Sequence, residues 1–241
     1  MTMTSSIDSS SDAGSPTVGM LLYPHFTLLD LAGPQSALGF HSNTLLFWKD
    51  LEPVPTDSGI SLNPTHTFAD APAALDVLFV PGGVGTHSAM EDAEVVGFLR
   101  RMGPRSRYIT SVCSGSLLLG MAGLLDGYRA ATHWSAYETL EALGVTPGRE
   151  RVVVDRNRFT GGGVTAGIDF GLTLLAELRG EGVARVTQLL MEYDPQPPFA
   201  AGHPRVAGEA LTKAALATMG EGFFRRGLEI AKRRAAPSSA A

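Results

Sequence analysis

Residues 107–121 (RYITSVCSGSLLLGM) do most to limit what this chain can fold into. Tyr108, Ile109 and Val112 make a short β-prone apolar run that ends at Cys113. Ser114, Gly115 and Ser116 then lead at once into the helix formers Leu117, Leu118, Leu119 and Met121. Strand, one reactive residue, small residues, helix is the order of a nucleophile elbow, in which small neighbours let the backbone fold back sharply. Such a turn sets the thiol at a helix N-terminus, where the dipole and free N–H groups favour a thiolate. The competing reading is a buried cysteine that packs as a small hydrophobe and does no chemistry. The elbow setting favours the reactive reading.

The remaining sequence supplies a frame for that elbow. Further strands are expected at 17–22 (TVGMLL), 44–49 (TLLFWK), 76–80 (DVLFV) and 151–155 (RVVVD). A β-excursion with a Ser58-Gly59 turn falls between the second and third, and a short extended piece at 129–132. Helices are expected at 31–40, 91–102, 135–143, 168–178, 181–193 and, as one final basic helix, 208–235. Buried strands alternating with amphipathic helices predict an α/β fold with a parallel sheet covered on both faces. Ligands in such sheets bind beyond the carboxyl ends of the strands, which selects Gly82-Gly83, Cys113 and 161–163.

The composition narrows the function classes. One cysteine in 241 residues excludes an internal disulfide framework and fits a reducing, cytoplasmic setting. A net charge of −5 gives no general attraction to nucleic acid or to an anionic membrane. No apolar run approaches the roughly 20 residues that span a bilayer. Residues 1–16 are polar and serine-rich, with neither a basic start nor an apolar stretch; they read as a disordered tail rather than a secretory signal.

Several residues beyond the thiol could carry chemistry. Asp30 stands among Leu28, Leu29 and Leu31. It is either a helix N-cap or a carboxylic acid held near the thiol, its pKa raised by apolar surroundings. In 81–86 (PGGVGT), a GxGxxG pattern would need glycine where Ser88 stands, and no Gly-Lys-Ser/Thr follows, so nucleotide binding is disfavoured. The glycines instead allow backbone N–H groups to approach a substrate closely. His133 could be a base for Cys113, an orienting group or a satisfied core histidine, and Trp134 could wall an apolar pocket. The histidine spacings suit no metal site.

The pieces VGMLLYPHFTLLDLAGP, DVLFVPGG, YITSVCSGSLLLGMAGLLDGYRAATHW and TGGGVTAGIDFGLTLLAEL together resemble the ThiJ/PfpI family of the class I glutamine amidotransferase-like superfamily. The likeness covers most of residues 17–200, leaving 201–241 as a mostly helical extension. It implies a flavodoxin-like three-layer sandwich with a mostly parallel sheet, usually a homodimer, working without cofactor or metal. It implies Cys113 as nucleophile, Asp30 as the acid beside it, and the N–H groups of Gly83 and Ser114 as donors to the bound substrate. Gly82, His133, Trp134, Gly162 and Val164 are the other expected neighbours of the substrate. The implied activity is hydration of a small-molecule isonitrile to an N-substituted formamide. Glyoxalase- or deglycase-like action on α-oxoaldehydes, or a ligand or redox sensor, are the alternatives. LDLAGP and ATHW also resemble the ligand-binding halves of AraC-type regulators, but the residues after 208 are too few for their DNA-binding module. His203-Pro204-Arg205 lacks the His-x-Glu pair of glutamine amidotransferases, which disfavours glutaminase chemistry.

Overall fold

A computed structural model describes residues 14–235, apart from the side chains of residues 221 and 235. The expected N-terminal tail lies outside the described residues as far as residue 13. In chain order the strands are β1 (Thr17–Leu21), β2 (Asn43–Trp48), β3 (Val54–Pro55), β4 (Ser61–Leu62), β5 (His66–Thr67), β6 (Leu75–Val80), β7 (Ser106–Val112), β8 (Arg129–Ala130), β9 (Thr146–Pro147), β10 (Val152–Asp155) and β11 (Arg158–Gly161). The helices are α1 (Leu28–Leu38), α2 (Thr86–Glu91), α3 (Ala93–Met102), α4 (Gly115–Met121), α5 (Tyr137–Ala142), α6 (Ala166–Arg179), α7 (Glu181–Leu190), α8 (Pro204–Ala207), α9 (Glu209–Met219) and α10 (Glu221–Ala235).

Seven strands form the central sheet in the order β10-β11-β7-β6-β1-β2-β5, and only the β10–β11 pair is antiparallel. The central strands are apolar on both faces because both are covered. Val18, Met20, Val77, Leu78, Phe79, Val80 and Val112 are all fully buried. Helices α1, α6 and α7 pack together as one layer, and α2, α3, α4, α5 and α10 as the other. This is the flavodoxin-like α/β sandwich expected from the sequence.

Some boundaries differ from the expected ones, each for a local reason. The helix expected at 91–102 is α3, which begins at Ala93 because the Asp92 side chain accepts the N–H groups of Glu94 and Val95, and the separate short helix α2 before it was not expected. The single final helix expected at 208–235 is two, α9 and α10, broken at Gly220 (φ 84°), and Gly208 (φ 80°) separates them from the short α8, both glycines entering the left-handed region. The basic end of α10 is also more than a complement to its own dipole. Arg226 and Arg233 both bond Glu91 at the end of α2 (2.9 and 2.6 Å), and Arg234 bonds the Leu143 carbonyl (3.1 Å). These contacts, with buried Ile230 and Ala231, hold α10 over the carboxyl end of the sheet.

Candidate active site

β7 runs straight into Cys113, which takes φ 56°, a conformation a side chain adopts only when its surroundings enforce it. The enforcement is visible. The Cys113 N–H donates to the carbonyls of Gly162 (2.7 Å) and Gly161 (3.1 Å), and its carbonyl accepts the hydroxyls of Ser116 and Thr132 (3.2 Å each). Gly115 lets the elbow close, since a Cβ there would lie 2.2 Å from the Val80 carbonyl. The thiol is nearly buried, at 6% exposure.

Asp30 lies in the first turn of α1 and is fully buried. It is not the N-cap: that position is Thr27, and the Leu28 N–H is satisfied by Asp57 Oδ1 (3.1 Å). Asp30 Oδ2 instead accepts the Gly82 N–H (2.8 Å), while Oδ1 has no partner among the described residues. Burial pushes the Asp30 carboxyl up to about 7 against the pull of the Gly82 N–H and of the neighbouring Cys113 thiol. Burial and the neighbouring Asp30 charge push the Cys113 thiol well above its ordinary value, opposed by the backbone N–H groups of Ser114 and Val164. The expected low-pKa thiolate is therefore not a property of the helix terminus alone. The helix dipole acts on a desolvated thiol facing a carboxyl, so the two groups titrate as a pair.

The glycines do something other than what the sequence suggested. The Gly82 N–H, expected to face a substrate, is held by Asp30, and a Cβ at Gly82 would lie 2.5 Å from the Ser114 nitrogen and 2.9 Å from Asp30 Oδ2. The Gly83 N–H donates to Ser114 Oγ (3.0 Å). The ring closes through Thr86, whose Oγ1 lies 2.8 Å from Ser114 Oγ and donates to the Gly83 carbonyl (2.7 Å). The backbone donors that face the sulfur are those of Ser114 and Val164. Gly162 holds the Cys113 backbone through its carbonyl and does not line the cavity above the thiol. His133 is no base for Cys113: its Nδ1 is bonded to the Ser135 hydroxyl (2.7 Å), and burial lowers its pKa to about 4.

Above Cys113 is a mostly apolar cavity of about 250 Å³. Gly83, Ser114, His133, Trp134 and Val164 line it as expected residues. Leu216 and Met219 of α9 and Phe223 and Phe224 of α10 roof it, and none of these was expected. An adjacent aromatic pair in a helix otherwise rich in charge was the one available signal. Beside the roof, His87 packs its ring on Phe223 (4.4 Å between centroids), and only a glycine at 227 leaves room for it. Burial lowers its pKa to about 4, so the ring is neutral. The arrangement offers a thiol, an acid able to hold or release a proton near neutrality, and an apolar space above them.

Comparison with known proteins agrees with this geometry. The DJ-1/PfpI family matches residues 17–177. The chain is 47% identical over 223 residues to an isonitrile hydratase of Pseudomonas putida, covering 92% of this chain and 90% of the relative. A ThiJ/PfpI family protein of Pseudomonas syringae superposes with a TM-score of 0.89 at 44% identity, with 96% of each chain covered. The helix-turn-helix-type transcriptional regulator GbdR of Pseudomonas aeruginosa is 31% identical over 188 residues, spanning 74% of this chain and 51% of the regulator.

Proposed function

Because the chain belongs to the DJ-1/PfpI family, we propose that it uses the family's elbow thiol to hydrate isonitriles to N-substituted formamides. The observation that carries this reading is the Asp30–Cys113 pair buried beneath an apolar cavity. The 47% identity to an isonitrile hydratase over most of both chains supports it. An isonitrile, R–N≡C, has a terminal carbon that accepts both a nucleophile and a proton, and an R group that asks for little hydrogen bonding.

In the proposed sequence the pair holds one ionisable proton, and the tautomer that reacts carries it on Asp30, with Cys113 as thiolate. The sulfur adds to the terminal carbon while the Asp30 carboxyl delivers its proton to the same carbon, giving the thioimidate R–N=CH–S–Cys113. Asp30, now carboxylate, takes a proton from water as the hydroxide adds to that carbon. The nitrogen receives this proton from Asp30. Collapse expels the thiolate, the adduct's O–H proton returns to Asp30, and R–NH–CHO leaves. One hard hydration becomes two easier steps. Asp30 suits both roles because its pKa of about 7 leaves both protonation states populated near neutrality. The Ser114 and Val164 N–H groups favour negative charge on sulfur in the first and last steps.

The reading includes a cytoplasmic homodimer. The single free thiol supports the compartment, and the exposed Val186, Leu189 and Leu190 of α7 support the assembly. No helix among the described residues is long and apolar enough to cross a membrane. The test is incubation of the purified chain with a small aliphatic isonitrile, following formamide by chromatography. Stoichiometric formamide is expected. No formamide, with methylglyoxal converted to lactate instead, replaces hydration with a glyoxalase reading.

A further inference from the structure

On the far side of the wall made by His133, Trp134 and Val164 is a second cleft, of about 420 Å³, and unlike the cavity above Cys113 it is lined by three arginines. Arg149, Arg151 and Arg205 converge on it from two separate stretches of chain. Arg151 is paired with Asp169 (2.7 Å), and Glu150, the carboxylate on the cleft wall, is paired with Arg129 (2.6 Å). Arg149 lies over the Tyr137 ring (5.0 Å), and among the described residues neither Arg149 nor Arg205 forms an ion pair. Residues 163–166, which lead into the first turn of α6, also line the cleft and add the positive end of a 14-residue helix.

The imbalance is felt by groups inside. His203, which lines the cleft, is held below its ordinary range by burial and by Arg205 and Arg149. His133, on the wall, is lowered by burial and then by His203. With Glu150 and Asp169 already paired to Arg129 and Arg151, the charges of Arg149 and Arg205 are left to be balanced by solvent or by an anion in the cleft. Guanidinium groups match the flat or tetrahedral oxygens of carboxylates and phosphates.

We propose that this cleft is a binding site for a small oxyanion, a carboxylate or phosphate group, held by Arg149 and Arg205 with Arg151 and the start of α6 behind them. Cys113 and Asp30 do not line it, so the site is separate from the hydration chemistry. The anion has two sources, a carboxylate carried on the substrate's own R group or a free anion, and both would be bound by the same chemistry.

The test is isothermal titration calorimetry of the full chain with inorganic phosphate and with acetate, in wild type, Arg149→Gln, Arg205→Gln and the double variant. Both side chains are exposed, so the variants should keep the wild-type melting midpoint, checked alongside. Saturable binding is expected, weakened about tenfold for each arginine removed and weaker in high salt. No saturable heat with either anion, or binding unchanged in the double variant, overturns the proposal. A second arm separates the sources and rests on the proposed hydration, which the calorimetry does not. If phosphate raises KM for an isonitrile bearing a terminal carboxylate but not for a neutral one, the anion is the substrate's own. If both KM values stay unchanged while phosphate binds, the anion is a free ligand.

Discussion

At the floor of the cavity, Asp30, Gly82 and the Cys113-Ser114 elbow come from three separate segments and are fixed by close contacts, with 2.8 Å from Gly82 to Asp30 and no room for a Cβ at Gly82. At its roof, Leu216, Met219, Phe223 and Phe224 present only apolar surface. Their place depends on how α10 is tied to Glu91 and how His87 seats against Gly227. The floor is defined by backbone geometry that tolerates almost no change; the roof is defined by packing that tolerates substitution of like volume. The floor should therefore govern the rate and the roof the fit, a division that mutation can break.

The largest effect is expected from Cys113→Ala, which removes the nucleophile and should lower turnover by more than roughly 10⁴-fold, read as formamide release. A residual rate within an order of magnitude of wild type would remove the floor from the chemistry. Asp30→Asn keeps an acceptor for the Gly82 N–H but loses the proton, and should cost roughly 10²–10⁴-fold in kcat.

The same Asp30→Asn variant should be more stable than wild type at pH 8. A carboxyl raised to about 7 in the folded chain from an ordinary 3.8 contributes stability that is present below pH 4 and lost as pH rises through 7. The neutral amide escapes that loss, by at most roughly 4 kcal/mol, checked by thermal melts at pH 5 and pH 8. In wild type, the first proton must leave the pair before the thiolate form exists. Thus kcat/KM should rise with pH through about 7, and this limb should be absent or displaced in the variant. Gly82→Ala should cost about 10²-fold in kcat, since its Cβ would displace both Asp30 and the Ser114 nitrogen.

Roof changes should behave differently. Phe223→Ala should raise KM for small isonitriles by about tenfold with kcat nearly unchanged, because it removes apolar contact without touching the reacting atoms. A kcat loss as large as that of Asp30→Asn would erase the distinction between floor and roof. The smallest effect belongs to Glu91→Gln, which breaks two solvent-exposed pairs to Arg226 and Arg233. It should lower stability by about 1 kcal/mol or less, seen as a small salt-sensitive fall in melting midpoint.

The same contrast explains what the sequence made legible. The elbow at Cys113 was readable because a strand, one thiol, small residues and a helix leave the backbone few choices. Asp30 was readable as an acid in apolar company, but its partner was not. That Gly82 serves the carboxyl, and Gly83 serves Ser114, depends on loops that meet only after β1, β6 and β7 pair. His133 carried the right chemistry in the wrong geometry, since its hydrogen bond to Ser135 is set by the turn that follows it. The roof was hidden because Leu216 and Phe223 look like ordinary core residues until α9 and α10 fold back over the sheet. The breaks at Gly208 and Gly220 that permit this were visible as glycines but not as hinges between helices.

The central claim, that the floor acts through a covalent bond at Cys113, is tested most directly by intact-mass spectrometry of the enzyme quenched in acid during turnover of an isonitrile. The account predicts a mass increase equal to one isonitrile, located on Cys113 by peptide mapping, absent from Cys113→Ala and accompanied by formamide release in wild type. Formamide produced at an undiminished rate by Cys113→Ala, with no adduct on the wild-type thiol, would contradict it.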